Sequence, residues 1–197
     1  MNLIPDQVRA AMARLEARDA ADRDDGTPRL KRLRQIRPDV GELLLTLALA
    51  IQARTIVEVG TSGGYSTLWF AVAMARTGGR VTTFEVDPDK IELARRTFKD
   101  AGVEGRIDLR AEDGQAGLRA LAPGSVDLAF LDAEKDLYEG MLEPAILSLR
   151  SQGLLVADNL ISHEAALAAF RDRALADPRL SGLVVPIGRG ELVAVRL

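Results

Sequence analysis

The sequence predicts an α/β fold in which seven strands form one mostly parallel sheet with helices on both faces. Three observations lead to this prediction. Strand-like apolar runs alternate with helical runs from residue 55 onward, a glycine-rich turn follows the first strand, and only three residues, Gly188 to Gly190, join the last two strands. Alternating strands and helices are typical of parallel sheets with right-handed crossovers. So short a link makes a hairpin, which turns the last strand antiparallel to its neighbour.

Composition and charge narrow the class of protein. The 197 residues suit one domain, residues 1–197, and the absence of cysteine excludes disulfides, thiolate metal sites and a cysteine nucleophile. The net charge of −3, with basic residues dispersed through helical stretches, argues against a nucleic-acid partner. The longest apolar run, Leu43 to Ile51, is too short to cross a bilayer, and the charged N-terminus lacks a signal segment. We therefore expect a cytoplasmic protein without a membrane partner.

Residues 1–35 are predicted to form an N-terminal helical segment that acts as a lid or an interface. Pro5 to Arg18 has apolar residues at helical spacing, and the charged stretch Asp19 to Gly26 is expected to end this helix. The helix lies over a site or a partner subunit, or it only covers its own core. The basic run Leu30 to Arg37 is interpreted as a solvated flank, with a position over a bound ligand as the alternative. An apolar helix over Leu43 to Ala53 then leads to the first strand.

The glycine turn is the feature around which the rest of the chain is arranged. Strands are predicted at residues 55–60, 80–87, 107–111, 126–132, 154–158, 183–187 and 191–196, with helices between the first six. The helix Tyr65 to Arg76 directs its free N–H groups back at the turn. Such a turn binds the anionic or polar end of a nucleotide-like ligand. Glycine turns also occur where a helix only packs closely on a strand.

Polar residues at the carboxyl ends of the strands are candidates for ligand contacts, because open parallel sheets bind ligands there. Thr61, Ser62 and Ser66 supply hydroxyl donors after the first strand. Glu85 follows the second strand, where a carboxylate accepts hydrogen bonds from ribose hydroxyls; the alternative is a surface carboxylate. Asp113 follows the third strand and either reaches an adenine edge or caps a helix.

Three oxygen-bearing side chains follow the fourth and fifth strands. Asp132 ends the fourth strand, and Asp158 and Asn159 end the fifth, so the three meet if these strands are neighbours. Two carboxylates and an amide oxygen suit a hard divalent cation, Mg²⁺ first and Ca²⁺ or Mn²⁺ next. Lys135 lies three residues after Asp132, and a bound cation disfavours the ammonium form of a nearby lysine. Lys135 is therefore a candidate base.

Four motifs resemble the cation-dependent O-methyltransferases, the group of catechol and caffeoyl-coenzyme A O-methyltransferases. They are Val57–Ser66, Phe84–Asp87, Leu131–Tyr138 and Ala157–Asn159. The resemblance covers roughly residues 36–197, and its metal motifs are specific. It implies the Rossmann-like class I methyltransferase fold with S-adenosyl-L-methionine as the methyl donor.

The resemblance also implies roles for individual residues. The implied cofactor-binding residues are Glu58, Gly60, Thr61, Ser62, Gly64, Ser66, Glu85, Asp113 and Asp132. Asp132, Asp158 and Asn159 would hold Mg²⁺, and Lys135 would deprotonate a hydroxyl of a small acceptor. Two vicinal phenolic oxygens can chelate one cation, which lowers the pKa of the hydroxyl and orients it. Relatives are commonly dimers, so a homodimer is expected.

Two departures from the family leave the acceptor open. Glu134 stands where catechol-methylating relatives often carry an aromatic residue. No acidic residue of this chain is confidently matched to the one that binds the second hydroxyl of the acceptor in the catechol enzymes. For His163, a capping or packing role is favoured over a catalytic one. Two other functions are weighed. An NAD(P)-dependent oxidoreductase is disfavoured by the glycine spacing and the terminal hairpin, and a non-catalytic S-adenosylmethionine-binding protein is disfavoured by the complete set of site residues.

Overall fold

A seven-stranded sheet forms the centre of the structure, a computed structural model that describes residues 3–197. The strands are β1 Thr55–Val59, β2 Arg80–Phe84, β3 Ile107–Arg110, β4 Val126–Leu131, β5 Leu149–Ala157, β6 Leu180–Val185 and β7 Glu191–Arg196. The helices are α1 Asp6–Asp24, α2 Pro38–Ala50, α3 Tyr65–Thr77, α4 Pro88–Asp100, α5 Gly114–Arg119, α6 Tyr138–Ser148 and α7 Glu164–Ala176.

The strand order is β3-β2-β1-β4-β5-β7-β6, and β7 is antiparallel to both of its neighbours while the pairs among β1 to β5 are parallel. The predicted sheet with its antiparallel C-terminal hairpin is confirmed. The strand order reverses between β1 and β4, whose carboxyl ends lie side by side. A ligand site is expected at this point.

Apolar side chains bury both faces of the sheet. Ile56 of β1 faces a core formed with α1 to α4, and Val57 faces a second core formed with α5 to α7. Large side chains fill each core, such as Phe70 in the first and Phe170 in the second. Because both faces are covered, β1 is apolar from Ile56 to Val59 apart from Glu58. Helices on both faces were predicted and are observed.

Three strands differ from the prediction by more than one residue. β2 ends at Phe84 instead of residue 87, and β5 and β6 differ because polar residues hide the apolar pattern. β5 begins at Leu149 instead of residue 154, and its register against β4 shifts between Val126 and Leu128. Gln152 adopts φ +62° in this irregular part, so the apolar periodicity starts only after it. β6 spans Leu180–Val185 instead of 183–187 because it is an edge strand with exposed residues in its first half.

The first helix is longer than predicted. Its predicted end at Arg18 is wrong, because α1 continues through the charged stretch to Asp24. Asp19 and Asp22 of this stretch are buried and accept hydrogen bonds from the backbone N–H groups of Arg34, at 2.9 Å, and Leu33, at 3.1 Å. The acidic residues therefore pair with a later segment instead of ending the helix.

That later segment, residues 25–37, is called the strap. The interpretation of its basic run as a solvated flank is wrong for Leu33 and Ile36, which are 3% and 4% exposed. The Leu33 carbonyl accepts a hydrogen bond from Ser62 Oγ at 2.8 Å, so the strap lies on the glycine turn. A lid or interface function for residues 1–35 stays a prediction, and residues 1 and 2 lie outside the described residues.

Candidate active site

The glycine turn after β1 packs directly on the end of β4. Gly60 has φ +101°, and a Cβ at this position would lie 2.0 Å from the Asp132 carbonyl oxygen. Gly64 has φ +93° at the start of α3, and its Cβ would lie 2.4 Å from the Phe98 ring. Only glycine combines this backbone conformation with such close approach. The turn therefore holds its backbone within reach of whatever occupies the space above it.

Glu58 supports this turn from below. It is fully buried and accepts hydrogen bonds from Ser66 Oγ at 2.5 Å, Thr67 Oγ1 at 2.5 Å and Thr83 Oγ1 at 2.6 Å. Burial raises the pKa of Glu58 to about 7, although the three hydroxyl donors favour its charged form. Glu58 thus fixes Ser66 and the start of α3.

A cleft of about 240 Å³ lies above the turn, beyond the carboxyl ends of β1, β2 and β4. Seven of the predicted cofactor residues line it: Gly60, Thr61, Ser62, Ser66, Glu85, Asp113 and Asp132. Glu58 and Gly64 are not part of the lining and lie behind it. The strap closes one side through Leu33 and Ile36.

Two acidic residues are fixed at the cleft by backbone N–H groups. Glu85 Oε2 accepts from Ser62 N at 2.8 Å, and its Oε1 accepts from the N–H groups of Val86 and Asp87 at 2.8 and 3.0 Å. Asp113 Oδ1 accepts from Ala116 N at 2.9 Å, so the helix-cap alternative is observed, although Asp113 also lines the cleft. Both carboxylates are therefore held in place before any ligand binds.

The three predicted cation ligands meet at the tips of β4 and β5, which are neighbours. Asn159 Nδ2 donates to Asp132 Oδ1 at 3.0 Å, and Asp158 Oδ1 accepts from the Asn159 backbone N–H at 2.5 Å. The Tyr138 hydroxyl lies 3.0 Å from the Leu131 carbonyl oxygen and 3.1 Å from that of Asp158. Tyr138 thereby joins the two strand tips that carry these residues.

Asp132 and Asp158 are two carboxylates that lie close together at the strand tips, and each affects the ionisation of its surroundings. Burial and the nearby charge of Asp158 raise the pKa of Asp132 to about 6, while Lys135 lowers it. Lys135 Nζ lies 3.5 Å from Asp132 Oδ1, donates to the Ala133 carbonyl oxygen at 2.9 Å and sits 5.1 Å from the centre of the Tyr138 ring. The predicted base therefore adjoins the predicted ligands.

Glu191 is an acidic residue near this group that the sequence analysis missed. It is fully buried at the start of β7, and within residues 3–197 neither of its oxygens has a hydrogen-bond partner. Burial raises the pKa of Glu191 well above its usual range, and the nearby negative charges of Asp158 and Asp132 add to the effect. No motif or residue spacing in the sequence relates the first residue of the last strand to Asp132 and Asp158. Only the fold shows that Glu191 lies near these two residues.

The chemistry of the donor set fits a hard divalent cation. Asp132, Asp158 and Asn159 bring two carboxylates and one amide to one place, and burial together with the nearby charge of Asp158 raises the pKa of Asp132. In the described part of the chain, no three His, Cys, Asp or Glu side chains form a group that could hold a metal ion. The cation therefore stays a prediction.

The rim of the cleft carries an ion pair and a histidine. Arg34 of the strap donates through Nη2 to Glu134 Oε1 and lowers the pKa of Glu134. His163 is the residue before α7 and makes no side-chain cap, but its Nδ1 lies 2.9 Å from Ser162 Oγ. Burial lowers the pKa of His163, and the cation Lys135 acts in the same direction. His163 lines the cleft.

The strand order with its antiparallel β7, together with a cleft above a glycine turn, defines a class I methyltransferase. A sequence model of the O-methyltransferase family matches residues 25–197. The chain belongs to that family. The prediction of an S-adenosylmethionine-dependent O-methyltransferase is confirmed, which sets aside the NAD(P)-dependent alternative.

Relatives and solved structures agree with this placement. A catechol O-methyltransferase of Mycobacterium tuberculosis is 37% identical over 163 residues, which cover 83% of this chain and 70% of the relative. The crystal structure of cofactor-bound Rv0187 from MTB has a TM-score of 0.80 at 32% identity, covering 95% of this chain and 89% of that one. A Bacillus cereus O-methyltransferase in complex with SAH has a TM-score of 0.81 at 25% identity, covering 95% and 91%.

No helix within residues 3–197 combines the length and apolar character that crossing a membrane requires. The expected homodimer and cytoplasmic location stay predictions.

Proposed function

We propose that this protein transfers a methyl group from S-adenosylmethionine to one hydroxyl of a small vicinal-dihydroxy aromatic acceptor, at a divalent cation held by Asp132, Asp158 and Asn159. The observation that carries the proposal is the meeting of these residues with Lys135 at the tips of β4 and β5, beside the cleft. The similarity to a catechol O-methyltransferase of Mycobacterium tuberculosis supports the same acceptor class.

The donor end of the cleft is assigned to the glycine turn and Glu85. The turn offers backbone N–H groups and the hydroxyls of Ser62 and Ser66, which suit the polar methionine end of the donor. The Glu85 carboxylate, fixed by three N–H groups, is placed to accept ribose hydroxyls. Solved relatives bound to SAH or SAM support this donor.

The acceptor end is assigned to the tips of β4 and β5. A divalent cation bound there would lower the pKa of an acceptor hydroxyl and fix the orientation of two vicinal oxygens. Lys135 would take the hydroxyl proton on Nζ, which Ala133 and Asp132 already hold in position. The resulting oxygen anion attacks the methyl carbon, the carbon–sulfur bond breaks, and the sulfonium becomes a neutral thioether.

Positioning and water exclusion supply the remaining catalysis. Opposite charges disappear during methyl transfer, so the reaction gains from a site that excludes water. Leu33 and Ile36 of the strap cover one side of the cleft, and the ion pair between Arg34 and Glu134 connects the strap to the loop after β4. The strap is therefore proposed to shield the reacting atoms.

A matched set of acceptors tests this proposal. Labelled methyl transfer from S-adenosylmethionine is measured with Mg²⁺ on catechol, on its 1,3-dihydroxy isomer and on phenol. Because only vicinal oxygens can share one cation, catechol is expected to react at least about tenfold faster than the other two. Equal rates on all three would contradict the chelating role. Binding of S-adenosylmethionine with no transfer to any hydroxylated acceptor would favour a non-catalytic protein.

A further inference from the structure

Tyr138 is a buried side chain that lies directly behind the acceptor end of the cleft. It is the first residue of α6 and is fully buried in the core formed with α5 to α7. The ring of Phe170 in α7 packs edge-to-face against it, with 5.1 Å between the ring centres and an angle of 85° between the ring planes. Such a pair stabilises one relative orientation of the two rings. The packing of α7 therefore fixes the Tyr138 ring before any ligand binds.

The hydroxyl group of Tyr138 lies at the point where β4 and β5 end. The Leu131 carbonyl oxygen accepts from the Asp158 N–H at 3.1 Å and lies 3.0 Å from the Tyr138 hydroxyl oxygen. The same hydroxyl oxygen is 3.1 Å from the Asp158 carbonyl oxygen, and a phenol has one O–H donor, so the two carbonyl groups share it. Asp132 directly follows Leu131, and Asn159 directly follows Asp158. The hydroxyl thus holds the backbone that carries all three predicted cation ligands.

The ring of Tyr138 also contacts the candidate base. Lys135 Nζ lies over this ring, 5.1 Å from its centre. At this distance the negative face of an aromatic ring attracts an ammonium group. Nζ is held as well by the Ala133 carbonyl oxygen at 2.9 Å and by Asp132 Oδ1 at 3.5 Å. The ring would therefore stabilise the ammonium that forms when Lys135 takes the acceptor proton.

We propose that Tyr138 is a positioning residue of the acceptor end: its hydroxyl sets the spacing of the cation ligands, and its ring holds Lys135. The inference rests on the proposed function. Tyr138 does not line the cleft, so it acts through the residues that do. Groups that orient the ligands of a metal ion from behind contribute to the affinity of the site. The hydroxyl should therefore affect cation binding, and the ring should affect proton transfer.

Calorimetric titration with Mg²⁺, in the presence of SAH, tests the role of the hydroxyl without turnover. Tyr138→Phe removes only the hydroxyl group and is expected to weaken Mg²⁺ binding about tenfold. Its affinity for SAH should stay within about twofold of that of wild type, which shows that the variant is folded.

Tyr65→Phe is the matched control for the loss of a buried tyrosine hydroxyl. Tyr65 is buried in the core on the other face of the sheet, and its hydroxyl donates to Glu16 Oε1 in α1 at 2.6 Å. The control is expected to keep its affinity for Mg²⁺, because this hydroxyl does not contact the tips of β4 and β5.

The dependence of methyl transfer to catechol on Mg²⁺ concentration separates the two roles of Tyr138. In Tyr138→Phe, kcat at saturating Mg²⁺ should return to within about threefold of wild type, because the ring still holds Lys135. Tyr138→Leu also removes the ring, so its kcat should stay at least about tenfold below wild type at saturating Mg²⁺. A residue that only supported the core would lower thermal stability without this split between Mg²⁺ affinity and kcat.

Unchanged Mg²⁺ affinity in Tyr138→Phe, or an equal loss of affinity in Tyr65→Phe, would overturn the inference. Methyl transfer to catechol by wild type with Mg²⁺ would then leave the proposed function standing. A loss of Mg²⁺ affinity confined to Tyr138→Phe, without transfer by wild type to any hydroxylated acceptor, would support the role of the hydroxyl and refute the function alone. Absence of Mg²⁺ binding by wild type would refute both the inference and the proposed cation.

Discussion

Asn159 Nδ2 donates a hydrogen bond to Asp132 Oδ1 across 3.0 Å, which joins residues from the tips of two adjacent strands. The contact places an amide and a carboxylate beside Asp158, whose own carboxylate accepts the Asn159 backbone N–H. Asn159 has φ +76°, a conformation that costs energy for a residue other than glycine. We infer that this strain is retained because it aims the side chain at the acceptor end of the cleft.

Replacing Lys135 with methionine is expected to lower kcat about 100-fold or more, because the candidate base is lost while a similar apolar stem remains. Affinity for SAH should stay within about twofold, since Lys135 lies at the acceptor end. Transfer kinetics and calorimetry measure the two quantities. Lys99→Met in α4 is the control, and an unchanged kcat in Lys135→Met would refute the role of base.

Gly60→Ala should destabilise the fold more than Gly78→Ala. Both glycines have positive φ, +101° and +77°, but only the Cβ at residue 60 would meet a backbone atom, the Asp132 carbonyl oxygen at 2.0 Å. Strain costs about 1 kcal/mol at Gly78, and the clash adds roughly 1–3 kcal/mol at Gly60. Urea unfolding measures the difference, and equal losses of unfolding free energy would show that the close approach is unimportant.

The raised pKa of Glu58 predicts that the free energy of unfolding depends on pH. Its pKa is about 7 in the folded protein and about 4.5 when unfolded. Between these values the unfolded chain binds fewer protons, so stability is fully present below pH 4.5, falls as pH rises and levels off above pH 7. The fall is on the order of 3 kcal/mol.

The Glu58→Gln variant isolates this effect, because Asp132 also has a raised pKa and acts in the same direction. The difference in unfolding free energy between wild type and Glu58→Gln should change across this pH range. A difference that is constant with pH would mean that Glu58 ionises normally in the folded state.

Asp22→Ala is expected to loosen the strap. The substitution leaves the buried Leu33 N–H without its acceptor, which costs about 1–3 kcal/mol. Because the Leu33 carbonyl binds Ser62 Oγ at the glycine turn, SAH affinity should fall as well. Asp24→Ala, at the exposed end of α1, is the control. Unchanged affinity in Asp22→Ala would separate the strap from donor binding.

Local patterns in the sequence predict the sheet, the glycine turn and the polar residues at the strand tips. The sequence alone predicts that Asp132 and Asn159 lie close together, because neighbouring parallel strands end at the same edge of the sheet. The length of α1 could not be predicted, since the N–H donors that Asp19 and Asp22 bind lie in a later segment of the chain. Glu191 was missed for the same reason: its burial follows from strand pairing and leaves no local signal.

The most direct test of the central claim is methyl transfer to catechol by the purified protein, first with Mg²⁺, then with a chelator, and again after Mg²⁺ is restored. We expect transfer to stop with the chelator and to return with Mg²⁺, while SAH binding persists throughout. In Asp158→Ala, Mg²⁺ should give no recovery. Full transfer by wild type in the presence of the chelator would contradict a cation held by Asp132, Asp158 and Asn159.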